Sequence, residues 1–254
     1  MIRVGLMGYG KAGQAVANVL ATDPRLELRW IARRSSPEGT RHAPEPGIDV
    51  PVVGLEQMPL GDLLDAQPID ALVDFSQRES LRVYGEELRR RKLMLLSAIS
   101  AYEPEDLAYL RDLGRDLRVL ASPNITLGIN FVLLAARMLR IIAPFADIEI
   151  LEQHFRDKPE VSGTARKIAQ ALEVEDERIT SLRLGGIVGH HEVIFGFPNQ
   201  TVRIIHDAIR REAFGTGAAF ALRELAKRSN GFYTFDDLLM HIVRSELLKT
   251  PDPA

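Results

Sequence analysis

Short apolar runs alternate with amphipathic stretches from residue 2 to about residue 123. The runs IRVGLMG, LELRWIA, VPVVG, IDALVDFS, KLMLLSAI and LRVLASP are rich in aliphatic and β-branched residues, as buried parallel strands are. Between them, GQAVANVLATD, LGDLLDAQ, ESLRVYGEELRRRK and PEDLAYLRDLGRD repeat apolar residues at spacings of three and four, which makes one helix face. This pattern predicts an α/β protein with a Rossmann-type, doubly wound parallel sheet. After Pro123 the rhythm changes. GINFVLLAARMLRIIAPFA predicts a long helix, DIEILEQHF a strand, and a second helix starts at about Thr164. Three more strand-like runs follow in succession, ITSLRLG, HHEVIFGF and TVRIIHDAI, and predict a second, α+β domain whose mixed or antiparallel sheet carries helices on one face. EAFGTGAAFALRELAKRS is helical again and is expected to return to the first domain. The expected division is therefore residues 1–123 with 213–254, and residues 124–212, while the final KTPDPA is expected to fray.

Composition narrows the chemistry. A 254-residue chain that is 46% hydrophobic and 26% charged is long enough for one large domain or two modest ones. Its net charge of −3 gives no general attraction for nucleic acid or for an anionic membrane, so neither is an expected partner and any anion site must be local. The absence of cysteine excludes disulfides, thiolate catalysis and cysteine-ligated metals, and fits a cytoplasmic protein. No stretch of about 18 apolar residues runs without a charge, so no membrane span is expected. No catalytic metal is expected either: His190 and His191 are adjacent and would point to opposite faces of a strand, and no HExxH pattern accompanies His154 or His206.

The first strand runs into GYGKAG, which places Gly8, Gly10 and Gly13 in GxGxxG, with Lys11 and Ala12 at the opening of the next helix. That is the context a dinucleotide pyrophosphate requires: a tight turn, close backbone approach and a helix N-terminus. The second strand ends in WIARRSS, with Ala32 where an NAD site places an acid, followed by Arg33, Arg34 and Ser35. Cations without a carboxylate favour the 2′-phosphate, hence NADPH over NADH. The same residues also suit a solvated basic loop after a glycine turn that holds no nucleotide. Asp74, Phe75 and Ser76 end another strand in VDFSQRE, where Asp74 can contact a cofactor or cap the following helix.

Residues 151–168, LEQHFRDKPEVSGTARKI, are rich in polar groups of a different kind. Strand alternation sends Ile148, Ile150, Glu152 and His154 to one face. Lys158 follows, and Ser162, Gly163 and Thr164 open a helix whose unpaired amides and hydroxyls suit a carboxylate, or form an ordinary N-cap.

The ordered motifs GYGKAG, VDFSQRE, SPNITLGIN, EQHFRDKPEVSGTA, GGIVGHHEVIF and IHDAIRREAFGTGA cover nearly the whole chain, and together they resemble the dihydrodipicolinate reductase family of bacterial lysine (diaminopimelate) synthesis. The resemblance implies an NAD(P)H-dependent reductase of a cyclic unsaturated imine dicarboxylate, 4-hydroxy-tetrahydrodipicolinate. It divides the chain into a dinucleotide-binding domain and a domain for substrate binding and oligomerisation, and implies a homotetramer. It implies substrate orientation and proton donation for His154, charge stabilisation for Lys158, and carboxylate capture by Ser162, Gly163 and Thr164. His191 falls near the substrate, whereas His190 matches no family position and is read as solvated. Phe75 and Ser76 with Asp74, Ser97 and Ile99 in SAIS, and Asn124 in SPNITLGIN fall along the cofactor. Arg211 matches an arginine whose role is left open.

The chain departs from the family pattern at three places: Phe155 replaces a second histidine, the segment before Ser-Gly-Thr is one residue shorter with Val161 for proline, and SAIS replaces Gly-Thr-Thr-Gly. These departures leave two alternatives open: a sister imine reductase or amino-acid dehydrogenase-like enzyme for another carboxylated substrate, and a regulator that senses NADPH without chemistry.

Overall fold

The structure, a computed structural model, describes residues 1–247; the run expected to fray lies outside the described residues. The chain forms two compact units, one from Met1–Thr126 with the chain from Arg211 onward, the other from Leu127–Arg210. In the first, the apolar runs become β1 (Ile2–Met7), β2 (Leu26–Arg33), β3 (Arg41–His42), β4 (Val50–Gly54), β5 (Ala71–Asp74), β6 (Met94–Ser97) and β7 (Arg118–Ala121). The amphipathic stretches become α1 (Lys11–Thr22), α2 (Leu60–Ala66), α3 (Ser80–Arg91) and α4 (Pro104–Leu113). The second unit contains α5 (Leu127–Ile142), β8 (Asp147–His154), α6 (Gly163–Leu172), β9 (Ile179–Arg183), β10 (His190–Phe197) and β11 (Gln200–Asp207). The chain then returns to the first with α7 (Glu212–Ala226), β12 (Gly231–Tyr233) and α8 (Phe235–Leu247).

The first sheet has the order β12-β7-β6-β5-β1-β2-β4-β3, and all its pairings are parallel except β3 with β4. β5 and β6 are buried at every position because helices cover both faces, so their sequences run apolar without alternation. On one face Trp30, Leu72, Leu95 and Val119 meet Leu63 of α2, Leu88 of α3 and Leu110 of α4. On the other, α7 packs against α1, β6 and β7. This is the Rossmann-type fold that the periodicity predicts.

In the second unit the sheet order is β11-β10-β8-β9, with β8 antiparallel to β10 and parallel to β9. The sheet is thus mixed, as expected. β8 buries alternate positions, Ile148, Ile150, Glu152 and His154. Ile148 and Ile150 pack with Ile129 and Val132 of α5 and with Ala165 and Ile168 of α6. The alternation therefore carries Glu152 and His154 into the covered face beyond the apolar core.

Candidate functional site

In the first unit the chain turns sharply after β1. Gly8 has φ +97°, and a Cβ there would lie 2.6 Å from the carbonyl oxygen of Phe75, so only glycine fits. Nothing lies within 4 Å of the position a Cβ would take at Gly10, which leaves room for a group to approach the backbone. Gly10 is also the N-cap of α1, with no side-chain cap and no acid in the first turn, so the amides of Lys11, Ala12 and Gly13 face outward with the positive end of the helix dipole uncompensated. A cavity of about 840 Å³ runs from Gly8 and Gly10 past Arg33 and Arg34 to Phe75 and Ser76. A second, of about 450 Å³, shares Phe75 and Ser76 and continues to Ala12 and Ile99. This arrangement fits a dinucleotide: pyrophosphate on the open glycine and helix terminus, and a cation-lined end beyond β2. Arg34 is exposed and pairs with Glu56 at 3.0 Å, an ion pair that water screens.

Asp74 and Ser97 stand beneath these cavities and line neither of them. Asp74 is fully buried; it accepts hydrogen bonds from the Ser76 amide at 2.9 Å, the Ser76 hydroxyl at 2.5 Å and the Tyr84 phenol at 2.7 Å. Burial raises its carboxyl above the usual range, against these bonds, which lower it. The Ser97 hydroxyl lies 2.8 Å from that of Tyr102, which burial pushes up to about 12. Asn124 turns its Oδ1 to the amide and hydroxyl of Thr126, at 3.1 and 2.8 Å. These groups shape the segments carrying Phe75, Ser76 and Ile99.

In the second unit one buried carboxylate organises the strip after β8. Glu152 has no exposed surface and accepts from His154 Nδ1 at 2.5 Å, the Ser162 amide at 3.2 Å, the Ser181 hydroxyl at 2.7 Å, and Arg183 through both of its oxygens at 2.8 and 3.0 Å. Burial alone would push this carboxyl up, but Arg183, Ser181, His154 and the Ser162 amide outweigh it and hold the group at about 2. The charged carboxylate makes Nδ1 the protonated nitrogen of His154 and leaves Nε2 for other work; Nε2 lies 3.2 Å from where a Cβ on Gly189 would be, so glycine keeps space at that atom.

Ser162 is the N-cap of α6 but does not cap it with its hydroxyl, which bonds His191 Nε2 at 2.8 Å. The first turn at Gly163 and Thr164 therefore has no cap from Ser162 and no acid. His191 stacks edge-on against His154 with ring centroids 5.3 Å apart; burial, and then the neighbouring His154, push it down to about 3. Lys158 is half-buried on the loop between β8 and α6. The structure thus brings His154, Ser162 and His191 together and places Lys158, Gly163 and Thr164 on the segment that links them. Phe155 is 44% exposed. His190, read as solvated, is instead largely covered, because Asp207 holds its Nδ1 at 2.7 Å from across the β10–β11 pair.

Arg183 is a residue that sequence reasoning misses. Its signal there is one arginine in ITSLRLG, and only the parallel pairing of β8 with β9, which sets Arg183 opposite His154, reveals its reach.

Comparisons with known proteins fall on the same chain. Models described as dihydrodipicolinate reductase, N-terminus and C-terminus, match residues 2–125 and 125–239. The 4-hydroxy-tetrahydrodipicolinate reductase of Caldanaerobacter subterraneus subsp. tengcongensis is 30% identical over 263 residues, 94% of this chain and 98% of that protein. Among solved structures, a dipicolinate-bound dihydrodipicolinate reductase from Paenisporosarcina sp. TG-14 superposes with a TM-score of 0.76 at 22% identity, over 92% of this chain and 97% of that one. An engineered D-amino acid dehydrogenase bound to NADP+ shares the fold at a TM-score of 0.57 and 14% identity, over 99% and 97%.

Proposed function

The chain belongs to the dihydrodipicolinate reductase family, and on that premise we propose that it is an NADPH-dependent 4-hydroxy-tetrahydrodipicolinate reductase of the lysine and diaminopimelate pathway. The observation that carries this reading is the Glu152–His154 pair set beside the uncapped turn at Ser162 and the Lys158 loop. A ring with two carboxylates meets one set of complementary groups there. The amides of Gly163 and Thr164 and the hydroxyl of Thr164 take one carboxylate. Once the ring hydroxyl has left as water to give the conjugated imine, Lys158 offsets the negative charge that grows on the ring as hydride arrives, and His154 orients the ring and relays a proton from water through Nε2 to the carbon beside the reduced one. His191, neutral and bonded to Ser162, holds the turn in place.

The cofactor is held by Gly8, Gly10, Lys11, Ala12 and Gly13 at the pyrophosphate, by Arg33 and Arg34 at the 2′-phosphate, and by Phe75, Ser76, Ile99 and Asn124 along the remainder, with Asp74 and Ser97 supporting from below. When bound, the nicotinamide supplies the hydride. NADPH is the preferred cofactor and NADH the weaker one. Changing Arg33 and Arg34 together to alanine should weaken NADPH by roughly 1–3 kcal/mol, the scale of charge-assisted hydrogen bonds, and leave NADH nearly unchanged, as a fluorescence titration would show.

The protein acts in the cytoplasm as a homotetramer. Among the described residues no helix is long and apolar enough to cross a membrane. Ile205 and Leu182, 52% and 38% exposed, stand on the sheet face turned away from α5 and α6 and support a contact between copies. The deciding experiment follows NADPH oxidation with freshly generated 4-hydroxy-tetrahydrodipicolinate beside simpler cyclic imines. Turnover of the dicarboxylate is expected; turnover of the simpler imines alone would refute the assignment.

A further inference from the structure

The guanidinium of Arg183 is saturated. Nε donates to the carbonyl of Lys158 at 3.0 Å; Nη1 donates to Glu152 Oε2 at 3.0 Å and to the carbonyl of Leu182 at 2.9 Å; Nη2 donates to Glu152 Oε1 at 2.8 Å and to the carbonyl of Glu160 at 2.7 Å. Five N–H groups meet five acceptors, the full capacity of the side chain. Apart from the carbonyl of its own neighbour Leu182, the acceptors fall into two sets. One is the buried carboxylate that binds His154. The other is the backbone on either side of Pro159, which carries Lys158 towards α6.

From this geometry we propose that Arg183 is a positioning residue: one cation that keeps Glu152 charged against His154 and fixes the path of the Lys158 loop. The inference rests on the reductase reading for its chemistry, but the geometry stands by itself. A carboxylate without exposed surface ionises only beside a compensating charge. The ionised form in turn accepts from Nδ1 and fixes the tautomer of His154. A buried brace for the β9 edge would need only the carboxylate. The bonds to the carbonyls of Lys158 and Glu160 reach past the strand into a segment six to eight residues after Glu152, which in this chain is also one residue shorter than the family pattern.

The test uses the full-length protein with Arg183→Lys and Arg183→Met, and Arg183→Gln as a third variant should Arg183→Met fail to fold. Lysine keeps the charge but offers three donors from one nitrogen, so it cannot hold both sets of acceptors. Arg183→Lys should lower kcat roughly 10- to 100-fold, the size of lost charge-linked hydrogen bonds and of small misplacements of reacting groups, with NADPH affinity within about 2-fold of the parent. In ¹⁵N-histidine NMR without substrate, Arg183→Met should change the Nδ1–H pattern of His154, which a mere brace would leave alone. A His154 spectrum unchanged in every folded variant would overturn the proposal, as would a kcat for Arg183→Lys within about 3-fold of the parent, a change too small for one lost charge-linked hydrogen bond. A parent enzyme inactive on the hydroxylated dicarboxylate would overturn the reductase reading instead, and the NMR arm would then decide the role of Arg183.

Discussion

His191 keeps its proton off in the folded protein down to about pH 3, whereas an imidazole in the unfolded chain takes one up near 6.5. The unfolded state therefore binds more protons between those values, and stability falls as the pH drops from about 6.5 towards 3. His191→Gln should remove up to roughly 1 kcal/mol per pH unit of that slope between pH 6.5 and 5, in urea unfolding curves taken at both values. Equal slopes for parent and variant would refute the assignment. Glu152, held at about 2, adds its own loss only below its ordinary value of 4.5, so the window is chosen above it. Lys158 acts differently, because it answers a charge that exists only during reduction. Lys158→Ala should lower kcat by about 10²- to 10³-fold, as removal of a preorganised charge-stabilising donor does, with little change in NADPH affinity. Thr164→Val acts on the bound carboxylate and Ser162→Ala on the turn that His191 holds for it, so both should appear mainly in the KM for the imine, measured under the same assay conditions.

The elements differ in how plainly their sequences announce them. In DIEILEQHF the period of two is enough to place Glu152 and His154 on the covered face, and IRVGLMG followed by GYGKAG marks the turn into α1 equally well. β12 and α8 lack so plain a signal: β12 is a three-residue edge strand, too short to show a period, and it forms because β7 offers it an unpaired edge. Arg183 is hidden for a related reason, since its partner Glu152 is 31 residues away and the two meet only through strand pairing. α7 shows how close packing selects small residues. A Cβ at Gly217 would lie 1.7 Å from the Ile125 carbonyl oxygen, so Gly217→Ala must push α7 off the segment that follows β7. It should cost about 1–3 kcal/mol, the range for overpacked sites, and lower Tm by several degrees in a thermal melt while leaving the groups around His154 in the second unit undisturbed.

At the scale of the whole molecule, the first unit is drawn from both ends of the chain. A fragment ending at Pro123 keeps the glycine turn and the arginines after β2, but it lacks α7 against α1 and β12 beside β7. It should expose apolar helix and strand surface, unfold without cooperativity in urea and bind NADPH far more weakly than the full chain. Cooperative unfolding with parental affinity would show that the returning segment is dispensable.

That arrangement also orders events during synthesis. The ribosome completes α5 to β11 while the larger sheet still waits for β12, and at roughly 5–20 residues per second that strand follows about one to five seconds later. Throughout that interval the nascent chain presents the open edge of β7 and the bare face of α1, surfaces on which a chaperone or a neighbouring nascent chain can act. A slow codon or a stall after residue 210 would thus leave the larger sheet without β12 and α1 without α7 for longer, with those surfaces open.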